Sequence, residues 1–378
     1  MEQLCGNSWT AVRQQRTTVR QLDNKKPKKL QAYWVEMGSV KDLTVLKKPD
    51  ELPGRGRFRF SDRYSVFDYG EMPDLIEGKG KALCLISAYF FELAEKRGFK
   101  THYIGLVEGN RVLRLDEIEQ PVDVMEVSLY RVIKPVKVNG KYDYSAVKKA
   151  GKNYLIPLEI IYRNVLPEGS SVFRRLEKGL VTVEQLGLDH YPSPGEKLKR
   201  PIVEASTKLE SEDRYLSWSE AMDISGMSEE EIEELKNLTL RMDKIISERT
   251  ESAGIENLDG KFEFAFDENR ELVFVDAVGT PDECRFAVNG VQVSKEVLRK
   301  YYRTTQWYRY VEELKGRDEN WREKTKPQKL PQDILKVVSD MYKACCNEIV
   351  GRKFFDVESL KDVIRRMMEV VENYGIST

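Results

Sequence analysis

Apolar and polar positions alternate with a period of two in short pieces from about Tyr33 onward, AYWVEMG, LTVLKK and FRFSDRYSVF, which predicts strands. Pro53, Gly54 and Gly56 mark a turn between two of them. From Lys79 to Lys96 the apolar spacing becomes helical, and Gly98 stands where a C-terminal cap is expected. Strand patterning returns in THYIGLVEGNRVLRL, with a turn at its Gly-Asn pair, and in VMEVSLYRVI and LIPLEIIYRNVL. Residues Tyr191 to Pro201, rich in Pro, Gly and Lys, read as loop. The clearest helix starts after Ser228, whose spacing to Glu231 is that of a capping box. Ile232, Leu235, Leu238, Met242, Ile245 and Ile246 form its apolar stripe, and Gly254 ends it. Further helices are expected from Ser294 to Lys315 and from Pro331 to the C-terminus, joined by the charged stretch GRDENWREKTKPQK.

The most informative pattern is LDGKFEFAFDENRELVFVDAVGTPDECRF, Leu258 to Phe286. Phe262, Phe264 and Phe266 alternate with Lys261, Glu263 and Ala265, DENR is a turn signal, and ELVFVD runs back. A four-residue loop pairs Glu263 with Phe274 and Lys261 with Asp276. That register gathers Lys261, Glu263 and Asp276 on one face and turns Phe262, Phe264, Val273 and Val275 to the other. Two carboxylates and a lysine held close together suit Mg²⁺ bound to nucleotide phosphate, the acids taking the hard cation and the ammonium a phosphate oxygen. A solvated charged face with a surface salt bridge accounts for the spacing as well.

Composition narrows the chemistry. The 378 residues suffice for two to three folding units at about 150 residues each. With 40% hydrophobic and 33% charged residues, the chain can bury a core beneath a charged surface, which excludes collagen-like, low-complexity and wholly disordered readings. Lys plus Arg number 62 against 63 Asp plus Glu, so no bulk positive field favours nucleic acid. The longest apolar run, Ala82 to Phe91, is about half of a bilayer span. MEQLCGNSW has no secretory-signal pattern, and five cysteines without CxxC spacing fit a cytoplasmic chain with reduced thiols. With only His102 and His190, a three-histidine metal site is impossible, and GxSxG is absent. Chemistry must rest mainly on carboxylates, lysines and arginines.

Three other clusters contain such residues. Arg163, Gly169, Ser170, Ser171, Arg174 and Arg175 lie together in YRNVLPEGSSVFRR, suited to phosphate or carboxylate, or to a loop entering a basic helix. STKLESED places Lys208 among acids and hydroxyls. GSVKDL, Gly38 to Leu43, has the form of a glycine hairpin over a nucleotide, without the GxxxxGK[ST] of a P-loop.

Taken in order, these segments resemble the phosphoribosylaminoimidazole-succinocarboxamide synthases, the SAICAR synthetases of purine biosynthesis. The resemblance runs from about residue 33 to 348 through GSVKDL, SDRYSVFD, GKGKALCLISAYFF, IPLEIIYRN with GS and paired arginines, STKLESED, SEEEIEEL, DGKFEF, VDAVGTPDECRF and LPQDIL. It implies an α+β fold: a small N-terminal antiparallel β lobe and a larger ATP-grasp-like α+β lobe with C-terminal helices. The expected divisions are a polar basic extension at 1–32, a nucleotide-covering lobe at 33–110, a catalytic lobe at 111–315 and a helical segment at 316–378. The implied ligase uses ATP and Mg²⁺ to phosphorylate carboxyaminoimidazole ribonucleotide on its carboxylate, and the amine of L-aspartate then displaces phosphate. Expected partners are these small molecules, with no nucleic acid and no membrane, and room for a homo-oligomer.

Position by position, the resemblance implies that Lys261 contacts ATP phosphates and that Glu263 and Asp276 hold Mg²⁺, with Gly38, Ser39 and Lys41 over the nucleotide. Arg163, Ser170 or Ser171, and Arg285 would hold the ribonucleotide's phosphate and carboxylate. Lys208 and Asp213 would line the cleft, and Asp62, Arg63, Ser65, Asp68 and Lys79 would form a loop near the aspartate and imidazole sites. The family's usual GKVRD is altered to GSVKD, an acidic partner of Asp276 is replaced by Ala277, a later aromatic residue by Ala287, and a customary glycine by Ala265. Three readings remain: a SAICAR synthetase, a diverged amide ligase joining another amine or carboxylated heterocycle, and a non-catalytic nucleotide-binding protein.

Overall fold

The computed structural model describes residues 34–376 except 39 and 319, so the N-terminal extension at 1–32 and Ser39 lie outside the described residues. Six strands, β1 (Trp34–Met37), β2 (Lys41–Lys47), β3 (Gly54–Phe60), β4 (Tyr103–Glu108), β5 (Arg111–Leu113) and β6 (Val124–Leu129), pair in the order β1-β2-β3-β6-β4-β5. Helix α1 (Lys79–Glu95) crosses between β3 and β4, and its apolar residues Ala82, Leu85, Phe90 and Phe91 are fully buried. This sheet passes the division expected at residue 110, because β5 closes a hairpin on β4 and β6 inserts between β3 and β4.

Gly54 and Gly56 lie inside β3, not in the turn expected of them. A side chain at Gly56 would meet Leu129 at 2.8 Å and Leu43 at 3.0 Å, so these glycines answer to close strand packing.

A small hairpin, β7 (Val136–Val138) with β8 (Lys141–Asp143), and helix α2 (Ser145–Ala150) lead into the second sheet. There β9 (Tyr154–Leu166) is followed by α3 (Ser171–Glu177), β10 (Glu196–Thr207), β11 (Tyr215–Leu216), α4 (Trp218–Ser225) and α5 (Glu229–Ser252). Next come β12 (Glu256–Phe266), β13 (Leu272–Val275), β14 (Cys284–Val288) and β15 (Val291–Val293). The order is β11-β10-β9-β12-β14-β15, with β13 also on β12. Strand β10 begins within the stretch expected as loop, because Glu196 and Lys197 pair with Leu166 and Val165 before a bulge.

One face of this sheet is core. Ile160, Tyr162, Phe262, Phe264 and Phe266 belong to the main apolar cluster with Ile232, Leu235, Met242 and Ile246 of α5. Each such side chain contributes roughly 1.5–3 kcal/mol by leaving water. The capping box is present: Ser228 accepts from Glu231 N, and the Glu231 carboxylate accepts from Ser228 N. The other face is lined with charge and forms the cleft floor.

The C-terminal part is five helices, α6 (Glu296–Arg303), α7 (Gln306–Leu314), α8 (Trp321–Lys324), α9 (Gln332–Val350) and α10 (Leu360–Glu372), where two longer ones were expected. Thr305 stops the first run by capping a new helix, accepting from Tyr308 N, and Gly351 ends α9 at φ 75°. Helix α9 packs on α1 and α10 packs on α9. The two sheets are joined by bridges from Thr101 to Phe274 and from Arg131 to Tyr154. No helix among the described residues is long and apolar enough to cross a membrane.

Candidate active site

Three neighbouring strands present alternate residues to the cleft: Glu159, Ile161 and Arg163 from β9, Asp259, Lys261 and Glu263 from β12, and Glu204 and Ser206 from β10. Asp259 lies opposite Arg163, and Glu263 opposite Glu159. Charged side chains therefore gather at two positions along one floor.

At the first, Lys208 Nζ donates to Glu263 at 2.6 Å and Glu159 at 2.9 Å. Lys261 Nζ lies 3.0 Å from Glu159, 3.0 Å from Glu283 and 3.6 Å from Glu263. Lys41 of β2 reaches across from the first sheet to pair with Asp276. Lys261, Glu263 and Asp276 thus meet as expected, but by a different register. The hairpin pairs Phe264 with Phe274 and Glu263 with Val275, one residue away from the expected alignment. The turn takes an extra residue: Asp267 N donates to Glu271 O, and Arg270 adopts φ 63°. Val273 and Val275 accordingly join Ala265 on the cleft side, and Phe274 turns into the core.

Strict alternation would then send Asp276 away from Glu263. Instead Asp276 has φ 68°, an uncommon left-handed conformation for a residue with a side chain, and the chain turns out of the strand there. His102, buried between the rings of Phe58 and Phe91, places Nε2 3.2 Å from the Asp276 carbonyl oxygen. Burial holds the imidazole down to about 4, so it is neutral and donates from this nitrogen.

The electrostatics of this group are uneven. Burial opposes ionisation of Asp276, but the ammonium groups of Lys41, Lys208 and Lys261 outweigh it and hold the carboxyl down to about 2. Lys208 and Lys261 likewise hold Glu159 below the usual carboxylate range against its burial. Glu263 goes the other way: burial, with Asp276 and Glu159 nearby, raises it despite Lys208. Three lysines thus leave a carboxylate charge under-compensated. Among the described residues no three His, Cys, Asp or Glu side chains form a ready metal cage. Glu263 and Asp276 still fit Mg²⁺, which commonly takes one or two carboxylates and completes its shell with water and phosphate.

At the second position Arg163 is 2% exposed. Its guanidinium donates to Glu204 at 2.9 Å, Asp259 at 3.2 Å, Tyr215 OH at 3.0 Å, Ser171 Oγ at 3.3 Å and Ser170 Oγ at 3.5 Å. Arg285 Nε donates to the far side of Asp259 at 2.7 Å. Arg175 donates to Glu204 at 2.6 Å and lies 3.7 Å above the Tyr215 ring. Ser170 caps α3, accepting from Val172 N.

The remaining expected residues surround these two groups. Asp213 stands at the cleft mouth, exposed as a residue, yet its carboxyl is raised to about 6 by desolvation there and by the charges of Glu159 and Asp68. Gly38 N donates to Lys41 O in the β1–β2 turn. Asp62 accepts from Gly78 N and Gly80 N, and Arg63 donates to Asp42 and Gly38 O. Ser65 is half-buried, Asp68 pairs with Lys315, and buried Lys79 pairs with Asp282 at 2.9 Å and donates to Arg63 O. Glu159, Asp259, Glu204, Glu283 and Tyr215 were not anticipated. The first two share strand parity with Arg163 and Lys261, a signal present in the sequence. Ala277 belongs to the main apolar core, and Ala287 packs with Val165 and Leu258.

A family model described as SAICAR synthetase matches residues 35–314. Over 337 residues the chain is 58% identical to a protein of Archaeoglobus fulgidus provisionally named a phosphoribosylaminoimidazole-succinocarboxamide synthase, covering 89% of this chain and 100% of that one. It is 35% identical over 327 residues to the enzyme so named from Thermoplasma acidophilum, covering 85% and 99%. In fold it is similar to the Saccharomyces cerevisiae SAICAR synthase complexed with SAICAR, with a TM-score of 0.59, 22% identity, and 89% and 99% of the two chains covered.

Proposed function

Because this chain belongs to the SAICAR synthetase family, we propose that its charged cleft floor is the ligation site of that enzyme, with chemistry at the lysine–carboxylate end and anchoring at the arginine end. The reaction joins L-aspartate to carboxyaminoimidazole ribonucleotide with ATP, giving SAICAR, ADP and phosphate. The observation that carries the residue assignment is Glu263, which burial and neighbouring acids raise although Lys208 and Lys261 stand beside it.

Lys261, 30% exposed and open to the cleft, binds ATP phosphate, with Lys41 and Lys208 nearby as further ammonium donors. Glu263 and Asp276 hold Mg²⁺, which supplies Lewis-acid stabilisation of charge on the transferring phosphoryl group. The ribonucleotide carboxylate oxygen attacks the γ-phosphorus and ADP leaves. The amine nitrogen of aspartate then attacks the acyl carbon, phosphate departs, and the nitrogen loses a proton. Asp213, poised near 6 at the cleft mouth, is placed to receive it. Arg163, Ser170, Ser171 and Arg285 anchor the ribonucleotide's anionic groups, and Gly38 with the Asp62–Lys79 loop covers the opening.

The test is purified protein with ATP, Mg²⁺, carboxyaminoimidazole ribonucleotide and aspartate. SAICAR, ADP and phosphate are expected in equal amounts. Turnover only with another amine would replace the substrate assignment, and nucleotide binding without turnover would remove the enzymatic one.

A further inference from the structure

The loop from Asp62 to Lys79 is sewn along its length to the C-terminal part of the chain. At its tip, Phe67 and Asp68 are both left-handed, at φ 56° and 58°. Two consecutive residues with side chains in that region are costly and persist only where surroundings hold them. Here each carbonyl is captured by a cation from beyond residue 314: Lys315 Nζ donates to Phe67 O at 3.1 Å, and Arg322 Nε to Asp68 O at 2.9 Å. Lys315 also pairs with the Asp68 carboxylate at 2.7 Å.

The flanking loop is tied in the same manner. The Tyr69 ring meets Trp307 edge-on at 5.4 Å and Trp321 at 5.9 Å, and its hydroxyl donates to Thr325 O at 3.0 Å. Asp74 accepts from Leu330 N and Glu77 O from Ser339 Oγ, each at 2.7 Å. Lys79 closes the far end through Asp282, which accepts from Tyr342 OH at 2.7 Å. Asp68 lies close enough for its charge to act on Asp213.

We propose that residues 315–342 are a strut of the active site, with Lys315 and Arg322 as positioning residues that hold the Phe67–Asp68 tip of this loop in its strained conformation for binding of the amine substrate. The proposal rests on the ligase reading above for its substrate, but not for its mechanics.

The test uses the full-length double variant Lys315→Met/Arg322→Met. Backbone hydrogen exchange in residues 64–72 is expected to quicken about tenfold as the tip relaxes. KM for aspartate is expected to rise about tenfold with kcat and KM for ATP little changed, the pattern of lost substrate positioning rather than lost chemistry. Lys315→Arg alone, retaining a cation, should keep both properties near wild type. Unchanged exchange would overturn the strut, and faster exchange with all KM values unchanged would overturn its role in amine binding. Should wild-type protein fail to ligate aspartate, the ligase reading falls while the exchange measurement still decides the strut.

Discussion

The two ends of the cleft floor use the same strands and opposite strategies. At the arginine end each guanidinium has a fixed carboxylate partner: Arg163 spans Glu204 and Asp259, Arg175 holds Glu204 and Arg285 holds Asp259. Guanidinium keeps its charge and its planar fork, so such a network holds a shape ready for an anion. At the lysine end, single ammonium groups are shared between carboxylates: Lys208 between two and Lys261 among three. Point charges on flexible stems can exchange partners when phosphate and metal arrive. A binding site is built to stay as it is, and a reacting site to be rearranged.

That contrast breaks most visibly at Arg163. Arg163→Met removes the buried cation that Glu204 and Asp259 share, leaving them Arg175 and Arg285, and should cost ~3 kcal/mol of stability. Lys261→Met, at a side chain 30% exposed whose partners Glu159 and Glu263 keep Lys208, should cost less, about 1–2 kcal/mol. Urea unfolding compares the two, and equal losses would erase the distinction between fixed and exchangeable partners. Next in size, Glu263→Gln and Asp276→Asn should each lower turnover at least ~100-fold by weakening metal-assisted charge stabilisation. Steady-state rates that stay at wild-type level in both would move the chemistry elsewhere.

The pH response sharpens the comparison further. Asp213 is raised to about 6, so kcat/KM should fall on the acid side with a midpoint near that value, and Asp213→Asn should flatten this limb. For stability the signs differ between neighbours. The favourable contribution of Asp213 is complete below its ordinary 3.8 and is lost as pH rises through about 6. Asp276 and Asp282, each held at about 2, contribute stability above 3.8 that is lost as pH falls towards 2. The smallest effect is expected for Ser171→Ala, which removes hydroxyl contacts to Arg163 and Tyr215 and should raise KM for the ribonucleotide about threefold. A value unchanged within error would leave Ser171 as packing only.

Much of the reacting end was legible because strand parity is a local property. Residues two apart on a strand share a face, so Lys261 and Glu263 had to stand together once LDGKFEF was read as a strand. Parity also links Glu159 to Arg163 and Asp259 to Lys261, so the same local signal marks both acids. Register was harder. It turns on whether the DENR turn takes four residues or five, and one left-handed residue, Arg270, tips that balance by a single step. Asp276 reached the expected cluster for a reason the pattern does not contain: its own left-handed turn, held by His102 from the junction of the two sheets.

By itself the sequence determined the kinds of elements, the two-sided character of the second sheet and the residue types able to handle phosphate and metal, because periodicity and side-chain chemistry act over a few residues. Tertiary structure alone decided which carboxylate answers which cation, from Lys41 on Asp276 to Tyr342 on Asp282, and how the loop tip at Phe67 and Asp68 is held by residues some 250 positions later. The physical reason is that pairing energies and desolvation depend on distance in space, and these partners become neighbours only when both sheets and the C-terminal helices have closed around α1.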